Sequence, residues 1–149
     1  GAAPASPRPP QQAPFVQALN ECHLASWLMA ELAQLTRRDP TASVAVICRV
    51  PSTARRLQAA LRQRSLGRLV LDGEFLFRSG VNVTELDQVK GLEFDYVILV
   101  EVNQSTYPVD DESRHLLHIG ATRAAHQLWL LTTGRPSELL PKGLRDQEY

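Results

Sequence analysis

Leu24, Leu28, Leu32 and Leu35 recur at helical spacing with Trp27 beside them, so one face of this segment is apolar. Arg37 and Arg38 close it where a helix dipole favours cations, and Asp39-Pro40 stops it. Val44-Ala45-Val46-Ile47-Cys48 has no polar interruption and predicts a short strand covered on both faces. Pro51-Ser52 opens a second helix in which Ala54, Leu57 and Leu61 share a face. Ser65 to Gly67 ends it, and Arg68-Leu69-Val70-Leu71 predicts another short strand.

Gly73 to Gly80 is expected to be a loop carrying Phe75, Leu76 and Phe77, with Val81 to Leu86 extended after it. Tyr96-Val97-Ile98-Leu99-Val100 is the clearest strand. Asp110-Asp111-Glu112 places acid at the start of a helix running to about Ala125, and Gln127 to Leu131 predicts a final strand. Strands alternating with helices imply an α/β fold, with a mostly parallel sheet and helices on both faces.

The prolines divide the chain. Pro4, Pro7, Pro9, Pro10 and Pro14 are half of the ten in the sequence, so residues 1–14 read as a disordered linker, which implies a longer parent protein. Residues 15–134 form the expected domain, and 135–149 an irregular tail. The 149 residues, 44% apolar and 21% charged, suit one domain that buries about two-thirds of its unfolded surface.

Sixteen Lys plus Arg balance sixteen Asp plus Glu, which argues against a polycation that coats nucleic acid. No apolar run is long enough to span a membrane, and the first residues lack the order of a signal peptide. Cys22 and Cys48 sit in apolar surroundings and read as buried free thiols of a reducing cytoplasm. His115, His118 and His126 lie around one helix without a converging ligand set, so packing is preferred and no metal site is expected.

Two segments carry chemistry. Gln88 to Leu99 is a glycine-containing turn leading into a buried strand, with Lys90 and Glu93 at its mouth. Arg114 to Ala124 is a helix with Arg123 near its end. Ligands of open α/β sheets bind at the carboxyl edge of the strands, and an arginine there would hold a phosphate with its planar fork. Taken singly, Lys90 and Glu93 could be a surface pair, and Arg123 a cation complementing a helix end.

Lys90-Gly91-Leu92-Glu93-Phe94 followed by an apolar strand resembles motif V of the UvrD/Rep helicases. Leu116-Leu117-His118-Ile119-Gly120-Ala121-Thr122-Arg123-Ala124 resembles their motif VI, with His118 where the family has Tyr. Val44 to Arg49 with the arginine-rich helix is similar to motif IVa. Order and spacing agree from Val44 to Thr132, with a helix over 16–38 as the preceding element.

The resemblance implies a three-layer RecA-like domain of the P-loop NTPase type, the C-terminal (2A) half of an ATP-dependent DNA helicase. It implies that Arg123 is an arginine finger, that Glu93 approaches the nucleotide sugar, and that Gly91 lets the backbone come close, with Lys90 in the same nucleotide-binding set. The implied substrate is ATP with Mg2+, held in the full-length protein between this domain and an upstream RecA-like (1A) domain of the same parent chain. No nucleotide is expected on the chain alone, because no Gly-x-x-x-x-Gly-Lys-Ser/Thr occurs in it. Single-stranded DNA is the implied polymer, with RNA polymerase or other repair proteins as further partners.

Where the family places Thr and His before the motif V lysine, this chain has Glu85 and Asp87, which would repel a phosphate. Thr84, one place off register, is the remaining DNA candidate there. Arg49, Arg55, Arg56, Arg62, Arg64 and Arg68 fall in a stretch without acid. Arg55 and Arg62 share a helix face that either tracks a DNA backbone or is simply solvated. Motif IVa and motif V lie too close together for a large inserted 2B subdomain, which resembles the helicase IV and HelD-like branch. The alternatives are a non-catalytic nucleotide-sensing or protein-binding module on the same fold, and a nuclease-associated helicase subunit.

Overall fold

The computed structural model describes residues 11–64, 66–70, 80–85, 89 and 91–145, apart from the side chains of 67–70 and 85. The elements run β1 (Phe15–Ala18), α1 (Leu24–Arg38), β2 (Ser43–Cys48), α2 (Pro51–Gln63), β3 (Gly67–Val70), β4 (Gly80–Glu85), β5 (Phe94–Val100), α3 (Asp111–Ala121), β6 (Ala124–Thr132) and α4 (Lys142–Arg145). The strands pair in the order β1-β6-β5-β2-β4-β3, and every pairing is parallel. The architecture is the expected α/β fold.

Alternation along the central strands sends side chains into two cores. Val44, Val46 and Cys48 of β2, Tyr96, Ile98 and Val100 of β5, and Trp129 and Leu131 of β6 meet α1 and α2 on one face. Leu28, Leu32 and Leu35 are fully buried there, as the apolar stripe predicts. Ala45, Ile47, Val97, Leu99 and Leu130 point the other way, against Ile119 of α3, Tyr107 and Leu140. The chain therefore switches faces between β2 and β5.

Three expectations change. Phe15–Ala18 is an edge strand rather than the start of a helix over 16–38. Its residues pair with Trp129 to Thr132, and the Phe15 ring lies 5.5 Å from that of Trp129. α3 stops at Ala121 instead of about Ala125, because Ala124 is drawn into register with Phe94. Contacts also continue on either side of 15–134. The Gln12 N–H donates to the His126 carbonyl at 2.8 Å, while Ser137 and Leu140 are buried before the short α4. Cys22 is exposed, and only Cys48 is the buried thiol expected of both. Most of the predicted loop over 73–80, along with residues 86–88, lies outside the described residues.

The amino edge of the sheet as candidate site

Two short turns bring the motif residues together. The Leu92 N–H donates to the Val89 carbonyl at 3.1 Å, and Gly91 between them has φ +77°, a left-handed conformation that glycine adopts without strain. Glu93 is exposed and directly precedes β5. At the same level, Thr122 and Arg123 form the two-residue turn from α3 into β6. The Phe94 N–H donates to the Arg123 carbonyl at 2.8 Å, so Glu93 and Arg123 stand side by side at the start of neighbouring strands. Lys90 lies outside the described residues.

This edge is the amino end of the sheet, not the carboxyl end expected of an open α/β ligand site. Both motifs precede their strands, and in an all-parallel sheet that fixes the edge on which they fall. Arg123 is correspondingly a turn residue rather than a helical one. Its side chain is partly buried, and Nε has no hydrogen-bond partner among the described residues. It makes no ion pair among them either. A half-buried guanidinium with no ion pair among the described residues, at an open edge, is suited to an oxyanion arriving from outside. Beneath it, Asp95 accepts from the Ser43 N–H at 2.9 Å while its own N–H donates to Ser43 Oγ at 3.0 Å, tying β5 to β2.

α3 supports the Arg123 turn. Asp110 caps its start by accepting from the Ser113 N–H at 2.7 Å, and these bonds hold the Asp110 carboxyl below its ordinary value. The Arg123 N–H donates to the Gly120 carbonyl at 3.2 Å, and Thr122 Oγ1 to that of Ile119 at 3.1 Å.

The expected DNA residues separate. Arg55 and Arg62 are exposed on α2, opposite its buried Ala54, Leu57 and Leu61, and neither forms an ion pair among the described residues. Arg56 instead lies 3.9 Å from Glu21. Thr84 is fully buried in β4, between Ile47 of β2 and Val70 of β3, which leaves it no surface to offer a phosphate. His115 and His118 are exposed on α3, while His126 is buried with its ring 5.0 Å from that of Tyr96.

Sequence reasoning named Arg49 within motif IVa and the arginine stretch but gave it no partners. Its Nη1 donates at 2.7 Å to both the Thr106 carbonyl and Ser113 Oγ, 57 and 64 residues away. No local pattern signals partners so distant.

Residues 80–131 match the UvrD-like helicase C-terminal domain. The C-terminal domain of a possible DNA helicase from Lactobacillus plantarum WCFS1 is similar in structure, with a TM-score of 0.75 and 29% identity over 90% of this chain and 84% of that one. The C-terminal domain of the DEAD-box protein Dbp5 shares the fold at a TM-score of 0.59 and 13% identity, covering 84% of this chain and 77% of its own. The helicase domain of Pyrococcus furiosus Hef does so at 0.50 and 15%, over 74% of this chain and 26% of its own. No curated protein sequence matches. The fold is thus RecA-like, of the kind found in helicase C-terminal domains. No helix among the described residues is long and apolar enough to cross a membrane.

Proposed function

We propose that the chain is the C-terminal motor domain of an ATP-dependent DNA helicase or translocase, and that it completes a nucleotide site built mainly by another domain. One observation carries this reading: the Phe94 N–H bonds the Arg123 carbonyl, which sets Arg123 next to Glu93 and the Gly91 turn at the amino edge. The chain also enters on that edge, since β1 runs parallel to β6 and Gln12 is bonded near the start of β6. An upstream RecA-like (1A) domain joined through the proline-rich segment would therefore be delivered to Arg123.

In such an assembly ATP supplies the phosphoryl group, and the upstream domain holds it with Mg2+. Arg123 offsets the charge that builds on the transferred group. Gly91 keeps the turn free of a side chain, and Glu93 approaches the nucleotide sugar, with Lys90 in the same nucleotide-binding set. Arg55 and Arg62 track the phosphates of single-stranded DNA, with no contribution from Thr84. The short connection between motifs supports reading the parent as a member of the helicase IV and HelD-like branch, and with that reading go a cytoplasmic location and RNA polymerase or repair proteins as partners.

The buried Thr84, followed by Glu85, favours a second reading, a non-catalytic nucleotide-sensing or protein-binding module. Joining the parts tests the first. The 149-residue chain alone should show no magnesium-dependent ATP turnover above background, and the parent protein should show it with single-stranded DNA present. Turnover by the chain alone would contradict the shared site, and an inactive parent would favour the module.

A further inference from the structure

We propose that Arg49 is a positioning residue for the Arg123 turn and acts through α3. Arg49 follows β2 at the carboxyl edge, while Arg123 lies at the opposite, amino edge. One nitrogen, Nη1, donates to the Thr106 carbonyl and to Ser113 Oγ, both at 2.7 Å. Nη2 lies 3.7 Å from Glu112, and the guanidinium sits 5.2 Å from the centre of the Tyr107 ring. A single side chain thereby joins β2 to the β5–α3 loop and to the first turn of α3.

The cation is spent on geometry rather than on charge. Its carboxylate partner, Glu112, is 78% exposed, and a pair so exposed contributes little. Both bonds leave the same nitrogen, so arginine is selected by the flat guanidinium lying over the Tyr107 ring, a stacked site at which lysine is not equivalent.

α3 needs such a pin because one of its flanks is not packed. An open pocket of about 250 Å³ lies beside it, lined by Leu99, Arg114, Leu117, His118, Leu139 and Leu144. Interdigitating side chains normally fix where a helix lies, and α3 receives few of them on this flank. Its ends then set its position: Arg49 at the first turn, and at the last turn Gly120 on Leu99 and the Phe94–Arg123 hydrogen bond. A helix of eleven residues is a rigid rod of about 16 Å, so a shift at Ser113 reaches Arg123. The catalytic consequence rests on the reading of Arg123 given above; the positioning itself does not.

The test is native-state amide exchange on the 149-residue chain, paired with ATP turnover of the parent protein. In Arg49→Ala the Arg123 and Phe94 amides should exchange about two- to thirtyfold faster, the range that coupling through packed elements spans, with Val46 and Val83 unchanged. Arg49→Lys should fail to restore them. Ser113→Ala removes one acceptor from an otherwise intact core and should show a smaller change of the same kind, even where Arg49→Ala does not fold. In the parent, kcat should fall while KM for ATP holds, since only transition-state contacts are displaced. Wild-type exchange at Arg123 and Phe94 in Arg49→Ala and Ser113→Ala, or full recovery by lysine, would overturn the proposal. So would normal kcat in Arg49→Ala when Arg123→Ala has lost turnover. Normal turnover in Arg123→Ala would instead overturn the reading of Arg123, leaving amide exchange to decide the role of Arg49.

Discussion

A Cβ placed on Gly120 would lie 2.7 Å from Cδ2 of Leu99, so the last turn of α3 rests on the Leu99 side chain of β5, which any added side chain would have to displace. Arg123 begins three residues further on, and its position follows from this contact. Gly120→Val is expected to destabilise the domain by about 1–3 kcal/mol through overpacking. Urea unfolding would register a lower midpoint at constant m-value, and Ala121→Val, at an exposed position, should do far less. Equal midpoints for the two would mean that α3 is not seated on Leu99.

Glu101 directly follows β5 with φ 57°, a left-handed conformation for a residue other than glycine. Its Oε1 is also buried without a hydrogen-bond partner among the described residues. Glu101→Gly should be at least as stable as the parent sequence. Glu101→Val, β-branched in the same conformation, should lose about 1–3 kcal/mol. Thermal unfolding of both variants checks the order, and a valine variant as stable as the glycine one would contradict it.

How much was legible in the sequence follows the range of the interactions. α1, α2, β2 and β5 announce themselves through local periodicity, since burial of one face or of both writes itself into neighbouring residues. β1 does not: its four residues continue smoothly into a helical pattern, and only pairing with Trp129 to Thr132 makes them a strand. Ala124 and Ala125 look like the end of a helix until Phe94 draws them into the sheet. The edge on which the motif residues fall was not legible, because strand direction relative to a turn becomes visible only in the assembled sheet. Thr84 shows the limit in the other direction, since a polar residue fitting a contact position is in fact sealed between β2 and β3.

Two groups make stability depend on pH at opposite ends. Asp110 is held below its ordinary 3.8, chiefly by the backbone hydrogen bond from Ser113. A depressed carboxyl stabilises the fold above 3.8 and loses that contribution as pH falls through its folded value. Asp110→Asn should therefore be less stable than wild type near neutrality, with the gap closing in acid. Burial raises the Tyr107 phenol above its ordinary 10.0. Stability should hold below pH 10 and decline above it, as the unfolded phenol ionises and the buried one does not, and Tyr107→Phe should flatten that decline. Denaturation midpoints across the two ranges test both signs.

The exposed pair on α2 predicts a salt signature. Binding of single-stranded DNA by the domain should be weak and should fall steeply with salt, because each neutralised phosphate releases counterions. Replacing Arg55 and Arg62 together should flatten the slope of log K against log salt by up to about two units. An unchanged slope would return both arginines to the solvated face.

The most direct measurement is steady-state ATP turnover by the parent protein, with DNA saturating, for Arg123→Ala, Arg123→Lys, Glu93→Ala and a control, Arg64→Ala. An arginine that stabilises phosphoryl transfer contributes about a thousandfold or more to the rate, equivalent to about 4 kcal/mol at the barrier. Arg123→Ala should lose about that factor while remaining folded, and Arg123→Lys should not recover it. Glu93→Ala should raise KM for ATP more than it lowers kcat, and Arg64→Ala should stay within about twofold of wild type. Near-normal turnover in a folded Arg123→Ala protein would contradict the account.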